Sequence, residues 1–301
     1  MKKILSSLYV VLILLINQHS RCEFALHKKA DLIIYSFDRP MQLYALLESL
    51  ELYVSGIDTT IVIYRSSNEK FEDAYNKVHQ AFKDTAMIKQ AEPLKDFKPL
   101  TLNAFNKSSN EFIMFAVDDL IVTDYFDVSK AIDLIEKTGS YGFYYKMGKN
   151  LSHCYTWNCP QVLPTFNQLN QDVSSWQFCQ GYADWAYPNT LDMTLYRKKD
   201  IQDNFKKMDY CSPNGLEACW AGCATNVLKC LGLCFENSKV VNIPLNIVQK
   251  HCKNRNMNHI TTEQLLEIFE SGQKIDIHAL YKVKNTAVHM EYKPQFVERV
   301  K

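Results

Sequence analysis

Two adjacent carboxylates follow an apolar stretch of this chain. Every residue from Phe112 to Val117 is apolar, and Asp118 and Asp119 come directly after it. Such a run predicts a strand buried in a parallel sheet, and open α/β sheets bind ligands at the carboxyl ends of their strands. Two negative charges there attract Mg²⁺ or Mn²⁺, which usually keeps phosphate oxygens in its coordination shell. The pair indicates a nucleotide-diphosphate site, with a helix cap or an Asx turn as an equal alternative.

Strand and helix signals alternate from residue 30 onward and must position these carboxylates. The predicted strands are residues 31–37, 57–64, 87–88, 111–117, 141–147 and 195–197, and the predicted helices are residues 41–53, 71–82, 100–106 and 128–136. Regular alternation of this kind predicts an α/β fold with a doubly wound, mostly parallel sheet flanked by helices.

An irregular stretch, residues 150–189, is rich in Trp, Tyr, Gln and Asn. Long loops in compact domains are usually functional or disordered, and this one is too aromatic for disorder. Its rings could stack on a sugar, or they could seal an edge of the sheet. The candidate rings are Trp157, Trp176, Trp185 and Tyr187.

Charge and the N-terminus narrow the choice of partner and location. The 34 Lys and Arg residues nearly balance the 33 Asp and Glu residues of this 301-residue chain, which argues against a nucleic-acid partner.

Lys2 and Lys3 precede a short apolar run and a polar end, so residues 1–22 predict a cleaved secretory signal or, alternatively, a short anchor. We expect export to a secretory lumen or periplasm, with membrane contact only through this segment. A cytoplasmic location would follow if the true start lies further along the chain.

Nine of the ten cysteines lie between Cys154 and Cys252. Cys219, Cys223, Cys230 and Cys234 are spaced by four, seven and four residues, which predicts one stripe along a single helix. Because zinc ribbons use tighter spacings and free cysteines are usually buried, core packing is favoured over a metal site. Disulfides to the earlier cysteines stay open.

The quoted motifs resemble those of one enzyme family. A first strand closed by Ser36-Phe37-Asp38-Arg39-Pro40, a Leu-rich helix and a strand ending in Val117-Asp118-Asp119 resemble nucleotide-sugar glycosyltransferases of the GT-A fold, family 2-like. The resemblance covers roughly residues 30–260 and is strongest through residue 145. It implies that Asp38 and Arg39 lie near the nucleotide and that Asp118 and Asp119 hold the metal and the diphosphate. The chain departs from the family's Asp-x-Asp pattern in reading Val-Asp-Asp, although one carboxylate is often enough to bind the ion.

Transfer of a sugar with inversion needs a carboxylate that takes the proton of the acceptor hydroxyl. Glu217 is the first choice, because it lies near the start of a predicted helix, downstream of the aromatic stretch. A first-turn capping glutamate is the alternative interpretation. Asp192 and Asp184 are the next candidates for the base.

A later cluster, residues 249–255, carries charges suited to the leaving diphosphate. His251 is a candidate third metal ligand, while Lys250 or Arg255 could neutralise the diphosphate. A solvated loop explains the same charges. His289 ranks below His251 as a functional histidine.

These observations predict one domain, residues 30–301, after the N-terminal segment 1–22. It divides into a nucleotide-binding half (30–145), an acceptor half (146–260) with the aromatic stretch, and a C-terminal packing segment (261–301). The expected activity moves a sugar from a nucleotide-diphosphate donor to a hydroxyl of a glycan, lipid or protein, assisted by Mn²⁺ or Mg²⁺. The alternatives are an exported carbohydrate-binding or inactive relative, and a metal-dependent phosphohydrolase or nucleotidyltransferase.

Overall fold

The computed structural model describes residues 28–248 and 260–300. The strands are β1 (Ala30–Phe37), β2 (Val54–Ser55), β3 (Ile57–Arg65), β4 (Ala86–Lys89), β5 (Phe112–Val117), β6 (Leu120–Val122), β7 (Phe126–Asp127), β8 (Gly142–Gly148), β9 (His153–Cys154), β10 (Cys159–Pro160), β11 (Asn167–Gln168), β12 (Val173–Gln177), β13 (Thr194–Arg197), β14 (Leu231–Phe235), β15 (Val240–Asn242), β16 (Gln273–Ile275) and β17 (Phe296–Glu298). The α-helices are α1 (Pro40–Tyr53), α2 (Glu69–Ala81), α3 (Phe97–Lys107), α4 (Val128–Thr138), α5 (Lys198–Lys207), α6 (Pro213–Gly222) and α7 (Thr262–Glu270).

Nine strands form the central sheet, in the order β11-β12-β14-β8-β13-β5-β1-β3-β4. The neighbours from β5 to β4 are all parallel, as are β14 and β8. Only β13 and β12 run against the other strands of this sheet, because each is antiparallel to both of its neighbours. The predicted mostly parallel α/β sheet flanked by helices is confirmed, and the four helices predicted before residue 140 are present as α1 to α4.

The two middle strands, β1 and β5, are buried on both faces of the sheet. Ile34 and Met114 belong to the core on one face, while Ile33 and Phe115 belong to the core on the other, and all four are 0% exposed. Burial on both faces explains why these strands read as continuous apolar runs instead of alternating ones.

The ends of β1 and β5 lie side by side at one edge of the sheet. The parallel register pairs Tyr35 with Val117, so the residues that follow each strand meet there. Asp38 then takes a left-handed conformation (φ 51°), and Pro40 opens α1 at a position that proline favours. The structure confirms the expectation that Asp118 and Asp119 face the loop that carries Asp38.

The cysteine-striped helix was predicted wrongly. Helix α6 ends at Gly222, and Cys234 lies in β14, a strand of the central sheet. The register of β14 requires Gly232 opposite Trp176, because a Cβ at Gly232 would come within 2.7 Å of the indole ring. The eight cysteines of the described residues carry no disulfide bond.

The C-terminal segment and the termini complete the description. Thr261 and Gln264 form a capping box at the start of α7, in the segment that the sequence predicted to pack against the domain. The predicted signal segment, residues 1–22, and the cluster with Lys250, His251 and Arg255 lie outside the described residues. Within the described ranges, no helix has both the length and the apolar composition needed to span a membrane.

Candidate active site

Asp118 is buried at the sheet edge and held by three donors. Its Oδ1 atom accepts a hydrogen bond from Arg39 Nη1 at 2.9 Å. Its Oδ2 atom accepts from Ser36 Oγ at 2.8 Å and from the Phe37 amide at 3.1 Å. The donors come from the end of β1 and the carboxylate from the end of β5, so Asp118 joins the two strands at this edge.

Asp119 also contacts the guanidinium group of Arg39. Its Oδ2 atom lies 3.1 Å from Arg39 Nη1, and its Oδ1 atom accepts from Asn242 Nδ2 at 2.8 Å. Burial raises the pKa of Asp119, and the positive charge of Arg39 opposes that shift. Asp119 is therefore more readily protonated than an ordinary aspartate.

Arg39 is fixed on its other side by Asn246. Its Nε donates to Asn246 Oδ1 at 2.7 Å, and its Nη2 donates to the Asn246 carbonyl at 2.6 Å. Burial would lower the pKa of Arg39, but Asp118 and Asp119 outweigh burial and raise it. The guanidinium is a permanently charged bridge between the two sheet strands and the chain after β15.

The carboxylate pair does not form a metal site by itself. All four carboxylate oxygens of Asp118 and Asp119 already accept hydrogen bonds, and Arg39 supplies a positive charge between them. In residues 28–248 and 260–300, no group of three or more His, Cys, Asp or Glu side chains is arranged to hold a metal ion. The predicted Mn²⁺ or Mg²⁺ site stays a prediction, and no chemical step is assigned to it.

Asp38 ties the ends of β1 and β3 together. Its Oδ1 atom accepts a hydrogen bond from the Ser67 amide at 2.8 Å. Burial raises the pKa of Asp38, while the hydrogen bonds from Ser67 and the charge of Arg65 oppose that shift. Asp38 thus lies in the first strand-helix loop, as predicted, with one oxygen committed to the fold.

A second charged pair lies beyond β5. Lys146, on β8, donates to Asp192 Oδ2 at 2.6 Å and to Thr190 Oγ1 at 3.2 Å. Burial alone would raise the pKa of Asp192, but Lys146 and then His289 outweigh it, so the pKa is lowered. The pair is an ionised salt bridge with little exposure on either side chain.

Glu217 lies next to this pair and is not a helix cap. The N-cap of α6 is Ser212, whose Oγ atom accepts from the Gly215 amide at 3.2 Å. Glu217 Oε1 instead accepts from the Leu191 amide at 3.0 Å. Burial, followed by the negative charge of Asp192, raises the pKa of Glu217. A carboxylate with a raised pKa is a better proton acceptor near neutral pH than an ordinary one.

His289 connects the two groups of charges. Its segment is anchored to Asn242, whose amide donates to the Val288 carbonyl at 2.9 Å and whose carbonyl accepts from the Met290 amide at 2.8 Å. Burial lowers the pKa of His289, and Asp192 and Asp119 both act on it from nearby. The imidazole of His289 and the carboxylates of Asp119 and Asp192 therefore share one edge of the sheet.

The space around Asp118 and Asp119 is almost filled. The cavity there has a volume of about 10 Å³, room for roughly one water molecule, and Gln42, Tyr292 and Pro294 help to close it. Among the described residues, both polar atoms of the Gln42 side chain are buried without a hydrogen-bond partner. Any ligand that reaches the carboxylates of Asp118 and Asp119 must displace part of this lining.

The chain is similar in sequence to one curated protein, the bifunctional glycosyltransferase pgtA of Dictyostelium discoideum. The two are 28% identical over 188 residues, which cover 56% of this chain and 24% of that protein. The predicted resemblance to glycosyltransferases is confirmed. The chain spans about a quarter of the length of this relative.

Two solved structures overlap part of the fold. The structure of S. aureus TarS 1-349 shares 12% identity with a TM-score of 0.44, covering 70% of this chain and 59% of that one. The Pyrobaculum calidifontis mannosyltransferase PcManGT, in complex with GDP-Man and Mn²⁺, shares 7% identity with a TM-score of 0.37, covering 58% and 46% of the two chains. No protein-family model matches the chain.

Two of the four candidate acceptor rings, Trp176 and Trp185, were predicted wrongly, because they are buried. Trp176 and Trp185 are 1% and 0% exposed, and their rings pack against each other with centroids 5.0 Å apart. Trp176 Nε1 also donates to the Trp185 carbonyl at 2.9 Å. Both rings belong to the core below the sheet, which is the alternative that the sequence left open. Tyr187, 37% exposed, stays a candidate.

Sequence reasoning missed several residues of this edge. Lys146 lies within β8, a strand that is buried along its whole length, and a charged residue in such a strand was a usable signal. Asn242 and Asn246 carried no comparable signal, because isolated amides are common in loops.

Asp184, a further candidate for the base, lies near Lys146, and burial raises the pKa of Asp184.

Proposed function

We propose that this protein is a glycosyltransferase that moves a sugar from a nucleotide-diphosphate donor to a hydroxyl acceptor. One observation carries the proposal. The guanidinium of Arg39, bound to Asp118 and Asp119, lies at the same edge of the sheet as the carboxylates of Asp192 and Glu217. The similarity to a glycosyltransferase in sequence supports the same activity. The predicted N-terminal signal supports an exported enzyme.

The donor is assigned to the side of the edge formed by β1 and β5. Asp38 and Arg39 lie in the first strand-helix loop, where open α/β sheets take nucleotides. The buried cations Arg39 and Lys146 are assigned to stabilise the departing diphosphate, since preorganised positive charge stabilises a leaving group as its charge develops. Arg255, outside the described residues, stays a further candidate.

Glu217 is assigned as the base of an inverting transfer. The acceptor oxygen attacks the anomeric carbon of the donor and forms the new glycosidic bond while its proton passes to Glu217. The bond between the anomeric carbon and the diphosphate breaks, and the nucleoside diphosphate leaves with the electron pair. Asp192 suits this step less well, because Lys146 holds its pKa low and its proton affinity is correspondingly weak.

Donor binding requires a movement of Tyr292 and Pro294. The cavity at the carboxylates is too small for a nucleotide, and Tyr292 and Pro294 line it. The unpartnered amide of Gln42 supports a polar ligand at this place, since buried polar groups normally find partners. The Met290 amide donates a hydrogen bond to the Asn242 carbonyl, so a movement next to it should change the protection of this amide. We expect its hydrogen exchange to change when donor binds.

A second candidate is a carbohydrate-binding protein without turnover, and the closed cavity at the carboxylates favours it. The two are separated by incubating the protein with nucleotide sugars and following released nucleoside diphosphate. Release that depends on Glu217 supports the transferase. A protein that binds sugars but releases no nucleotide supports the binding protein.

A further inference from the structure

An open pocket of about 270 Å³ lies beside the proposed transfer site. One wall is the hairpin of β9 and β10 with its turn, Tyr155–Asn158, and the other is the C-terminal segment 284–291. We propose that this pocket binds the acceptor and that the acceptor is a carbohydrate. The inference rests on the proposed function and adds the substrate class to it.

Backbone hydrogen bonds fix the two walls to each other. The amides of Ser152 and His153 both donate to the Thr286 carbonyl, at 2.9 and 3.0 Å. Asn150 Nδ2 donates to the Asn285 carbonyl at 2.8 Å, and Asn285 Nδ2 donates to the Ala287 carbonyl at 2.9 Å. The pocket is therefore formed before any ligand arrives, which removes an ordering cost from binding.

The lining has the mixed chemistry that a sugar needs. Among the lining residues, the side chains of His153, Asn158 and Lys284 carry donor groups, and the carboxylate of Glu291 is an acceptor. Tyr155 adds an aromatic surface, stacked on His289 with ring centroids 5.3 Å apart. Its hydroxyl donates to Glu291. A lipid chain would instead need a continuous apolar groove.

His289 places this pocket next to the reacting groups. It lines the pocket, and it also pairs through its backbone with Asn242, whose Nδ2 atom donates to Asp119 Oδ1 at 2.8 Å. Its Nδ1 atom is enclosed and has no hydrogen-bond partner among the described residues. A sugar seated between the hairpin and His289 is thus held close to the sheet edge where the donor is assigned.

Two exposed rings lie at the hairpin turn that lines the pocket. Trp157, next to Asn158 in the turn, is 60% exposed, and Tyr182 is 52% exposed. Their ring centroids are 5.7 Å apart with the planes at 67°. A paired Trp and Tyr left open to solvent suit stacking against a second sugar unit better than they suit packing. Trp157 keeps the role that the sequence predicted for it, and Tyr182 takes the place of the buried Trp176 and Trp185.

The test measures binding of simple glycosides in the absence of donor. The probes are the p-nitrophenyl glycosides of glucose, galactose and N-acetylglucosamine, titrated by calorimetry. The variants are Trp157→Ala and Asn158→Gly, where glycine keeps the left-handed turn (φ 49°) and removes only the amide. Tyr125→Ala is the control, because Tyr125 is equally exposed (53%) but contacts Ser55 far from the pocket lining.

We expect saturable binding of at least one glycoside to the wild type and to Tyr125→Ala. Trp157→Ala should bind it roughly tenfold more weakly, as for truncation of an aromatic anchor, and Asn158→Gly should also bind it more weakly. Equal binding by Trp157→Ala and Tyr125→Ala, absence of binding to all three glycosides, or binding only to phospholipid vesicles would overturn the inference.

A second assay separates this inference from the proposed function. Release of nucleoside diphosphate by the wild type is measured with nucleotide sugar alone and then with the bound glycoside added. Glycoside binding without any release would contradict the transferase and leave the carbohydrate pocket standing. Release that the glycoside does not accelerate, with no sugar transferred to it, would contradict the pocket as the acceptor site and leave the donor activity standing.

Discussion

The guanidinium of Arg39 lies 2.9 Å from the carboxylate of Asp118, and this buried ion pair joins the loop after β1 to the end of β5. Removing one partner of a buried pair leaves the other charge without compensation. Arg39→Ala should therefore lower the free energy of unfolding by about 3–5 kcal/mol, measured by urea denaturation at neutral pH. The control is Arg65→Ala, which removes a cation-π contact with Phe37 and a charge that acts on Asp38, and it should cost about 1 kcal/mol or less. Equal stability losses in the two variants would contradict the structural role of the Arg39 bridge.

The second prediction concerns divalent metal. Because the oxygens of Asp118 and Asp119 are already engaged, Mn²⁺ alone should leave the melting temperature of the protein unchanged. Mn²⁺ added together with a nucleotide sugar should raise it, since such ions are commonly held by one or two carboxylates and substrate phosphates together. Asp119→Ala should fold and lose the combined effect. A rise with Mn²⁺ alone would show a preformed metal site that the described residues do not contain.

The sequence predicted the first half of the fold well, for a physical reason. β1, β3 and β5 are buried in a parallel sheet, so their apolar runs and the amphipathic helices between them leave a clear pattern. β12, with the sequence Val-Ser-Ser-Trp-Gln, has two buried serines and gives no such pattern, so it was assigned to an irregular stretch. β14 was assigned to a helix because Cys234 happened to continue the helical spacing of Cys219, Cys223 and Cys230.

The site was predicted only where the chain itself brings residues together. Asp38, Arg39, Asp118 and Asp119 follow two neighbouring parallel strands, and the strand-end rule was enough to place them at one edge. Asn242 and His289 reach the same edge through long-range contacts that no local pattern records, whereas the charge of Lys146 within a buried strand was a signal that the prediction did not use. The burial of Trp176 and Trp185 was likewise set by tertiary packing.

The third prediction uses the ion pair of Lys146 and Asp192. In the wild type the pKa of Asp192 is lowered, so the stability it contributes is present above the unfolded value, about 3.9, and is lost as the pH falls through the folded value. Lys146→Met leaves a buried carboxylate without its partner and should destabilise the protein at neutral pH by about 3–5 kcal/mol. The double variant Lys146→Met/Asp192→Asn should recover much of this loss. Urea denaturation between pH 3 and 8 decides, and an unchanged single variant would contradict the pairing.

The fourth prediction concerns Glu217, whose pKa is raised by burial and by Asp192. Stability from such a group is complete below its unfolded pKa, about 4.3, and is lost as the pH rises through the folded value. Glu217→Gln replaces the ionisable carboxyl by a neutral amide, so the variant does not lose this stability as the pH rises. It should be at least as stable as the wild type at pH 7. Donor affinity should be retained while transfer falls by roughly 10²-fold or more.

Glu267→Gln, on the exposed side of α7, is the matched control and should transfer normally. Full turnover in Glu217→Gln would move the base to Asp192 or Asp184. Full turnover in variants of all three carboxylates would argue against inverting chemistry at this edge.

The most direct test of the account is release of nucleoside diphosphate from a panel of donors: UDP-glucose, UDP-galactose, UDP-N-acetylglucosamine and GDP-mannose. Each is incubated with the wild type, Asp119→Ala and Glu217→Gln, with and without Mn²⁺ and a p-nitrophenyl glycoside, and the products are separated by chromatography. The account predicts that the wild type releases the diphosphate from at least one donor and transfers its sugar to the glycoside, and that both variants lose the transfer. Absence of release from every donor, or release of inorganic phosphate instead of the nucleoside diphosphate, would contradict it.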